Sequence, residues 1–392
     1  MLDFSFEDED YEFRDLVREF AQKEVKPLGI ELDRSYDRDR FMAVWRKAAG
    51  MGILGVMVPE VYGGVGGSLM SLLLLVEELA AADAGFTGSL ALNWAVQTML
   101  IMVGNSEQME RYLPMISSAD GVPAAGCITE AQGGSDVESV TRCGPGALRT
   151  TYRKTDEGYI INGNKCFITN GGNAGLYIVI ATSDPDAGAS ASACFVVPGD
   201  LPGVSTGRIE DKMGFRSSQT AEVSFDDVLI PHENLLGEEG MGMEYVEFAM
   251  IFTRWAVGLL AIGIARAAFE EALAYAKERV QTGRPIIEHQ GIGFKLADMA
   301  TMIEAGRALA YKAAWTSLQF DLEPEERFRL SCMAKYHCTD MAMKICTEAV
   351  SIFGGYGYMK DYPVEKLMRD VKVTQIFEGP NEIQRQDVVE RL

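Results

Sequence analysis

Three hydrophobic periods follow one another along the chain. Over residues 7–113 apolar positions recur every three to four residues. Phe13, Leu16, Val17, Phe20 and Ala21 fall on one stripe, and residues 72–79 are apolar almost throughout, a spacing that predicts amphipathic and then buried helices. Pro27, Pro59 with the run Gly63-Gly64-Val65-Gly66-Gly67, and Pro114 are the expected breaks. Over residues 121–230 the period falls to two, as in Leu148-Arg149-Thr150-Thr151-Tyr152-Arg153 and Ala221-Glu222-Val223-Ser224-Phe225-Asp226. Asp156-Glu157-Gly158 and Asn162-Gly163 predict hairpin turns there, and residues 176–180 and 194–197 predict buried strands. After Pro231 the helical spacing returns over 242–281, 290–320 and 325–353, stretches long enough to cover one another's faces. The expected architecture is α+β in three domains: an all-α domain over 1–120, a β domain of barrel or sandwich type over 121–230, and a C-terminal four-helix bundle over 231–392.

Composition narrows the function. A chain of 392 residues, 47% hydrophobic and 24% charged, has material for a large core and two or three domains. The apolar run 71–76 stops at Glu77-Glu78 and the run 255–265 lies between Arg254 and Arg266. Both fall short of the roughly 20 residues a bilayer span requires, so no membrane insertion is expected. The start, Met1-Leu2-Asp3-Phe4-Ser5-Phe6-Glu7, is acidic where a leader would be basic, which points to a cytoplasmic location. A net charge of -21 and a pI near 4.6 disfavour nucleic acid and anionic lipid as partners, and suit a basic protein partner. The seven cysteines form no Cys-x-x-Cys pair and are expected as buried thiols. His232, His289 and His337 stand apart, and no metal-ligand pattern emerges.

Gly50-Met51-Gly52-Ile53-Leu54-Gly55 has dinucleotide-binding spacing, but a helical stretch rather than a strand precedes it, and it is set aside. Four other segments carry candidate chemistry. Glu378 stands between Ile376-Phe377 and a Gly379-Pro380 turn, where an acid among apolar neighbours can serve as a general base. Cys127-Ile128-Thr129-Glu130-Ala131-Gln132-Gly133-Gly134-Ser135-Asp136 is a strand running into a Gly-Gly turn, whose amides and hydroxyls suit a planar or anionic group. Cys166-Phe167-Ile168-Thr169-Asn170-Gly171-Gly172 puts an aromatic ring and a hydroxyl on one strand. Arg279 with Gln290 and the glycine-rich helix end at Gly354-Gly355 suits a pyrophosphate. Alone, the acid and the arginine read as solvated charges and the other two segments as an ordinary loop and strand, so the specificity comes from the set.

As an ordered set they resemble the acyl-CoA dehydrogenase family, from about Glu7 to Arg391. The resemblance rests on Cys127-Ile128-Thr129-Glu130 with Gly134-Ser135-Asp136, Lys165 to Gly171, Met213-Gly214-Phe215-Arg216-Ser217-Ser218, Pro231-His232-Glu233-Asn234-Leu235-Leu236-Gly237, and Tyr362-Pro363-Val364-Glu365-Lys366-Leu367-Met368-Arg369-Asp370 leading into Glu378-Gly379. It implies an FAD enzyme in which Glu378 removes the α proton of an acyl thioester while the β hydrogen leaves as hydride to flavin N5. By the same resemblance Arg254 supports the catalytic loop, and Phe252, Thr253, Arg254, Ser135 and Gly379 meet the substrate. Cys127, Ile128, Thr129, Gly134, Ser135, Phe167, Ile168, Thr169, Pro380, Asn381 and Glu382 surround the flavin. Arg279, Gln290, Gly354 and Gly355 hold the adenosine diphosphate part of an FAD in a neighbouring subunit, so the chain is expected as a homo-oligomer, usually a tetramer.

Two departures stand out: Pro380 replaces a usual hydroxyl residue, and Thr282 replaces an aromatic that packs on the adjoining flavin. Some members carry the base at the position of Thr253, which cannot act as a carboxylate, so Glu378 is left as the base. No Lys or Arg lies between Lys47 and Arg111, so a dicarboxylate substrate is unexpected in a pocket walled by residues 90–100. That wall is bulky enough to end the pocket early. The expected activity is dehydrogenation of a short- or medium-chain acyl-CoA, with electron-transferring flavoprotein as partner. Alternatives are a cyclic or aryl-propanoyl thioester, an enoyl-CoA reductase running in reverse, and a flavin-bearing interaction protein without catalysis.

Overall fold

The computed structural model describes residues 8–392, so the acidic start at residues 1–7 lies outside the described residues. Helices α1 (Asp8–Phe20), α2 (Lys26–Arg34), α3 (Arg38–Gly50), α4 (Leu69–Ala82), α5 (Ala84–Val103) and α6 (Ser106–Ser117) build the first domain. Several starts are local capping events: Asp37 accepts from the Arg40 N–H and Ser68 from the Ser71 N–H, both at 3.0 Å, and Asn105 and Gln108 form a reciprocal box. Two expected breaks do not interrupt the helices. Pro27 sits in the first turn of α2, joined to α1 by a single π-helical turn, Ala21–Val25, and Pro114 lies inside α6. Leu16 faces solvent because it falls at the edge of its stripe, whereas Val17, Phe20 and Ala21 are buried. The Gly50–Gly55 segment ends α3 and turns through Gly52, whose φ of +76° is left-handed; it opens no phosphate-binding helix.

The middle of the chain is one mixed sheet built from β1 (Ala124–Cys127), β2 (Thr151–Thr155), β3 (Gly158–Thr169), β4 (Leu176–Thr182), β5 (Ser192–Pro198), β6 (Val204–Ile209), β7 (Thr220–Ile230) and β8 (Leu235–Leu236). The strand order is β6-β7-β3-β2-β4-β5-β8, with β1 parallel to β4. On β4 and β5 alternate side chains belong to different cores. Leu176, Ile178, Ile180, Cys194 and Val196 pack toward the helices, and Tyr177, Val179, Phe195 and Val197 join the opposite face. Burial on both faces explains why these strands read as unbroken apolar runs. The Asp156-Glu157 turn joins β2 to β3 as expected. Asn162-Gly163 does not turn: it is a register shift within β3, and a Cβ on Gly163 would lie 2.6 Å from Thr150 Cα. Glycine is needed there because a neighbouring backbone comes close, not to reverse the chain.

The last domain contains α7 (Gly242–Glu278), the short pair β9 (Val280–Gln281) and β10 (Arg284–Pro285), α8 (Gln290–Ser317), α9 (Pro324–Phe353), α10 (Val364–Thr374) and α11 (Asn381–Val389). α7, α8 and α9 pack side by side, and α10 lies against α7 and α9 as the fourth helix. Two ends come earlier than the spacing predicts. α7 stops at Glu278, where Arg279 turns extended into β9, and α8 stops at Ser317. α5 and α7 are each long and apolar enough to cross a bilayer, but their apolar residues are spent on internal packing, α4 and α5 included.

A buried ionic clasp ties the three regions together. Lys366 on α10 donates to Asp83 Oδ1 at 2.7 Å and to Asp370 Oδ2 at 2.6 Å. Asp83, at the α4–α5 junction, also caps α5 through the Phe86 N–H at 2.8 Å and takes the Ser217 hydroxyl. Asp370 accepts the Phe215 N–H at 2.7 Å, from the loop between β6 and β7.

Candidate active site

The turn after α10 presents Glu378. The Gln375 carbonyl accepts the Asn381 N–H at 3.1 Å and closes the loop, while Glu378 and Gly379 take φ of +54° and +85°. A non-glycine residue in that region costs on the order of 1 kcal/mol or more and persists only when its surroundings hold it. Here Gln384 Nε2 donates to the Glu378 carbonyl at 2.9 Å and the Gly379 carbonyl at 3.1 Å, and Lys335 Nζ reaches the Gly379 carbonyl at 2.7 Å. The left-handed turn leaves the Glu378 carboxylate on the wall of a cavity of about 240 Å³. Thr253 on α7 donates to its Oε2 at 3.0 Å.

The cavity lies between α4, α5 and α7. Leu72, Val76, Trp94, Thr98, Phe252 and Phe377 line it, as does Thr169 from β3, and among the described residues Glu378 is its one ionisable lining group. It extends past Trp94 to Ile101 and Met102 and to Ser317 and Leu318 at the end of α8, so the α5 wall does not close it early. A smaller adjoining cavity brings Ile128 against Thr253 and Glu378. Of the expected substrate residues, Phe252 and Thr253 therefore meet Glu378 at one cavity, joined there by Thr169 of the expected flavin set, while Arg254 lies beneath it. Arg254 is fully buried and donates to Asp387 Oδ2 at 2.8 Å and Cys332 Sγ at 3.1 Å. Burial alone would weaken its hold on the proton; Cys332, Asp387 and Glu138 outweigh that and raise it further.

The strand side is set by a second buried pair. Lys165, 0% exposed, donates to Glu130 Oε1 at 2.8 Å and to the Ile128 carbonyl at 3.0 Å, and Glu130 also accepts the N–H groups of Arg149 and Thr150. Burial would raise the Glu130 carboxyl, but Lys165 and the Thr150 N–H hold it below the usual range. This pair shapes the loop from Cys127 to Asp136. Cys127 and Ile168 point into the sheet core, so only their backbone faces the loop side, and burial pushes the Cys127 thiol up to about 12. Thr129 and Ser135 are half-buried, and a Cβ on Gly134 would meet nothing within 4 Å.

Phe167 carries the test for a flavin. A register shift between Lys165 and Ile168 pushes it into φ +57° with 64% of its surface exposed. A large aromatic held left-handed and facing outward, two residues from Thr169 on the same strand face, fits a flat ring bound over it. Arg279, Gly354 and Gly355 line a separate groove with Tyr275, His289 and Tyr356, and a Cβ on either glycine would meet nothing within 4 Å. Gln290 starts α8 beside this groove but is not on its wall. The groove and the Glu378 cavity have no lining residue in common, so one protomer brings together only part of the expected flavin set. Pro380 caps α11. Asn381 is spent on holding the turn, through Thr339 Oγ1 and Asp340 Oδ1 at 2.8 Å each and Lys335 at 2.9 Å, and Glu382 is exposed.

Sequence reading missed Lys335 and Gln384, which bond the turn's carbonyls, Glu138, which lies close to Gly379, and Asp387, which takes Arg254 beneath it. Lys335 had a signal: it falls in the buried stripe of α9 with Phe328, Cys332, Thr339 and Ala342, where an unpaired lysine is rare.

Models of the N-terminal, middle and C-terminal domains of acyl-CoA dehydrogenase match residues 7–120, 125–228 and 240–392. An acyl-CoA dehydrogenase of Bacillus subtilis is 43% identical over 378 residues, covering 95% of this chain and 94% of the relative. The structure of butyryl-CoA dehydrogenase from Megasphaera elsdenii is similar with a TM-score of 0.92 at 38% identity, over 99% of both chains. A chain in a structure described as the electron transferring flavoprotein of Acidaminococcus fermentans, toward a mechanism of flavin-based electron bifurcation, matches with a TM-score of 0.91 at 38% identity, again over 99% of both. With three domain models matched in order and relatives similar over nearly their whole length, the chain belongs to the acyl-CoA dehydrogenase family of FAD-dependent oxidoreductases acting on CH–CH bonds.

Proposed function

We propose that the protein dehydrogenates short- or medium-chain acyl-CoA thioesters to 2-enoyl-CoA, with Glu378 as the base. The observation that carries this reading is the carboxylate itself: among the described residues the one ionisable lining group of an apolar cavity, fixed by a left-handed turn and a hydrogen bond from Thr253. Glu378 takes the α proton at a carboxylate oxygen. Thr253 orients Oε2, which sets the direction of the other oxygen. Among the described residues the Glu378 N–H has no hydrogen-bond acceptor, which suits it to polarise the thioester carbonyl. Bound FAD supplies the acceptor for the β hydrogen. The aromatic and aliphatic walls exclude water from the reacting carbons.

The absence of Lys and Arg from the wall supports a substrate without a second carboxylate. Wall residues on α5 run from Gly88 to Met102, about 20 Å of helix, which supports acyl chains beyond four carbons as well as the butyryl group named for the Megasphaera relative. The Acidaminococcus match supports electron-transferring flavoprotein as the partner. The separate Arg279 groove supports a flavin completed by a second subunit, hence a homodimer or tetramer of chains divided at about residues 120 and 230, and a cytoplasmic location accords with the acidic chain.

Anaerobic bleaching of the bound flavin by straight-chain, branched, cyclic and aryl-propanoyl CoA thioesters tests the reading and names the acyl class. Straight chains of four to eight carbons are expected to bleach it. Glu378→Gln is expected to keep FAD and thioester binding and lose turnover by several orders of magnitude; near wild-type turnover would remove Glu378 from the mechanism. Reoxidation of reduced protein by an enoyl-CoA, with no bleaching by any saturated thioester, would make the enzyme a reductase.

A further inference from the structure

A second set of charged groups converges under the Glu378 turn, and α-proton removal gives it no task. Its centre is Gly379. A Cβ built on this residue would lie 2.4 Å from Gln384 Nε2, 2.8 Å from Glu138 Oε2 and 3.2 Å from Arg254 Nη2, so an amide, a carboxyl and a guanidinium from different parts of the chain close together on one face of Gly379. Lys335 Nζ meets the same residue at its carbonyl. Asp387 takes hydrogen bonds from Arg254 at 2.8 Å and Arg142 at 2.7 Å, with Arg391 at 3.8 Å. Among the described residues Glu138 forms no ion pair at contact distance: its Oε2 is buried and has no hydrogen-bond partner, and Arg254 Nη2 and Nε have none either.

We propose that Glu138 is a positioning residue for the Glu378–Gly379 turn, and that its ionisation alters how Glu378 is held for α-proton removal. Glu138, Arg254 and Gln384 crowd one face of Gly379, so the charge and position of Glu138 limit where the turn can sit. Burial pushes the Glu138 carboxyl up to about 7; Arg254, Lys335 and Arg142 oppose the rise and the charge of Glu378 adds to it. Lys335 is pushed down to about 7, by burial and by Arg254, against Glu138, Glu378 and Asp340. The charged groups acting on Glu138 are thus Arg254 on α7, Lys335 on α9, Glu378 on the turn and Arg142 on its own loop, while Cys332 on α9 and Asp387 on α11 are engaged by Arg254. Neutral Glu138 adds no charge beside the base. Ionised, it sets a second negative charge against Glu378 and draws Arg254 and Lys335 from Asp387 and from the Gly379 carbonyl. Turnover then falls as pH rises through 7.

The inference rests on Glu378 as the base, and the two fail separately: Glu378→Gln tests the base, Glu138→Gln the positioning. In the holoenzyme, the rate of flavin bleaching at saturating acyl-CoA is expected to drop about threefold or more between pH 6 and 8. Glu138→Gln, which keeps the shape and stays neutral, is expected to hold the low-pH rate throughout with KM little changed. A pH profile in Glu138→Gln like that of the wild type, or no transition in either protein, overturns the proposal. A readout independent of turnover is the infrared carbonyl band of a protonated carboxyl group that disappears near pH 7 in the wild-type holoenzyme. Its presence, and its loss in Glu138→Gln, are expected; a band unchanged by the substitution, or none, overturns the assignment.

Discussion

At the scale of single residues, the base depends on one hydroxyl and the turn bears a cost. Thr253 gives the Glu378 carboxylate its one side-chain hydrogen bond among the described residues, and a hydrogen bond to a charged group contributes about 1.5–3 kcal/mol where it is shielded from water. Thr253→Val keeps the shape and removes the donor. It is expected to lower kcat/KM about tenfold or more through kcat, with flavin content unchanged; a change in KM alone would mean that Thr253 contacts substrate rather than base. Glu138 acts on stability with the opposite sign to a paired acid. Its folded-state pKa is raised from 4.5 to about 7, so the unfolded chain releases its proton first, and stability is lost as pH climbs from about 4.5 to 7. Removing that ionisation in Glu138→Gln is expected to make the variant gain on the wild type by up to about 3 kcal/mol between pH 5 and 8, read from denaturant midpoints at each pH. A pH-independent difference between the two would show that Glu138 ionises in the folded protein as freely as in the unfolded chain.

At the scale of elements, short segments bring residues to the site and long ones hold it. The β9–β10 hairpin turns through Thr282 and Gly283, both left-handed at +51° and +84°, the geometry of a two-residue hairpin. Arg279 leaves the end of α7 just before it and lies with its guanidinium 5.6 Å over the Tyr356 ring. If this groove receives the pyrophosphate of a partner's FAD, Arg279→Ala is expected to lower the flavin-to-protein ratio after dialysis while leaving the fold intact. A ratio equal to that of the wild type would detach the groove from the cofactor. The helices and buried strands were legible in the hydrophobic period because burial on one or both faces dictates it, and the Glu378 segment was legible because an acid beside Gly-Pro stands out locally. The register shift at Asn162-Gly163 was not, since a glycine that admits a neighbouring backbone looks the same in sequence as one that reverses the chain. Nor were Glu138 and Asp387, whose meaning comes from Arg254 and Arg142, more than a hundred positions away from one partner or the other.

At the scale of the whole molecule, the cavity exists because three domains hold a fixed relation. Its walls come from α4 and α5, from α7, and from Thr169 on β3, so a small shift of one domain would part Glu378 from the strand that faces it. The Lys366 clasp restrains that shift. It joins α10, immediately before the Glu378 turn, to Asp83 between the two wall helices and, through Asp370, to the loop between β6 and β7. Asp83 and Asp370 are 2% and 0% exposed, and Lys366 is the cation that both meet. Lys366→Met keeps most of the side-chain volume but leaves two buried carboxylates facing each other. Breaking a buried pair from one side costs about 3–5 kcal/mol. The variant is expected to melt at clearly lower temperature and to lose bound flavin before the helices unfold, followed by flavin absorbance and far-ultraviolet circular dichroism in one heating experiment. Replacing both acids as well, in Asp83→Asn/Lys366→Met/Asp370→Asn, removes the stranded charges and is expected to recover part of the loss. If the single variant melts as the wild type does, packing alone fixes the domains and the clasp only fills space between them.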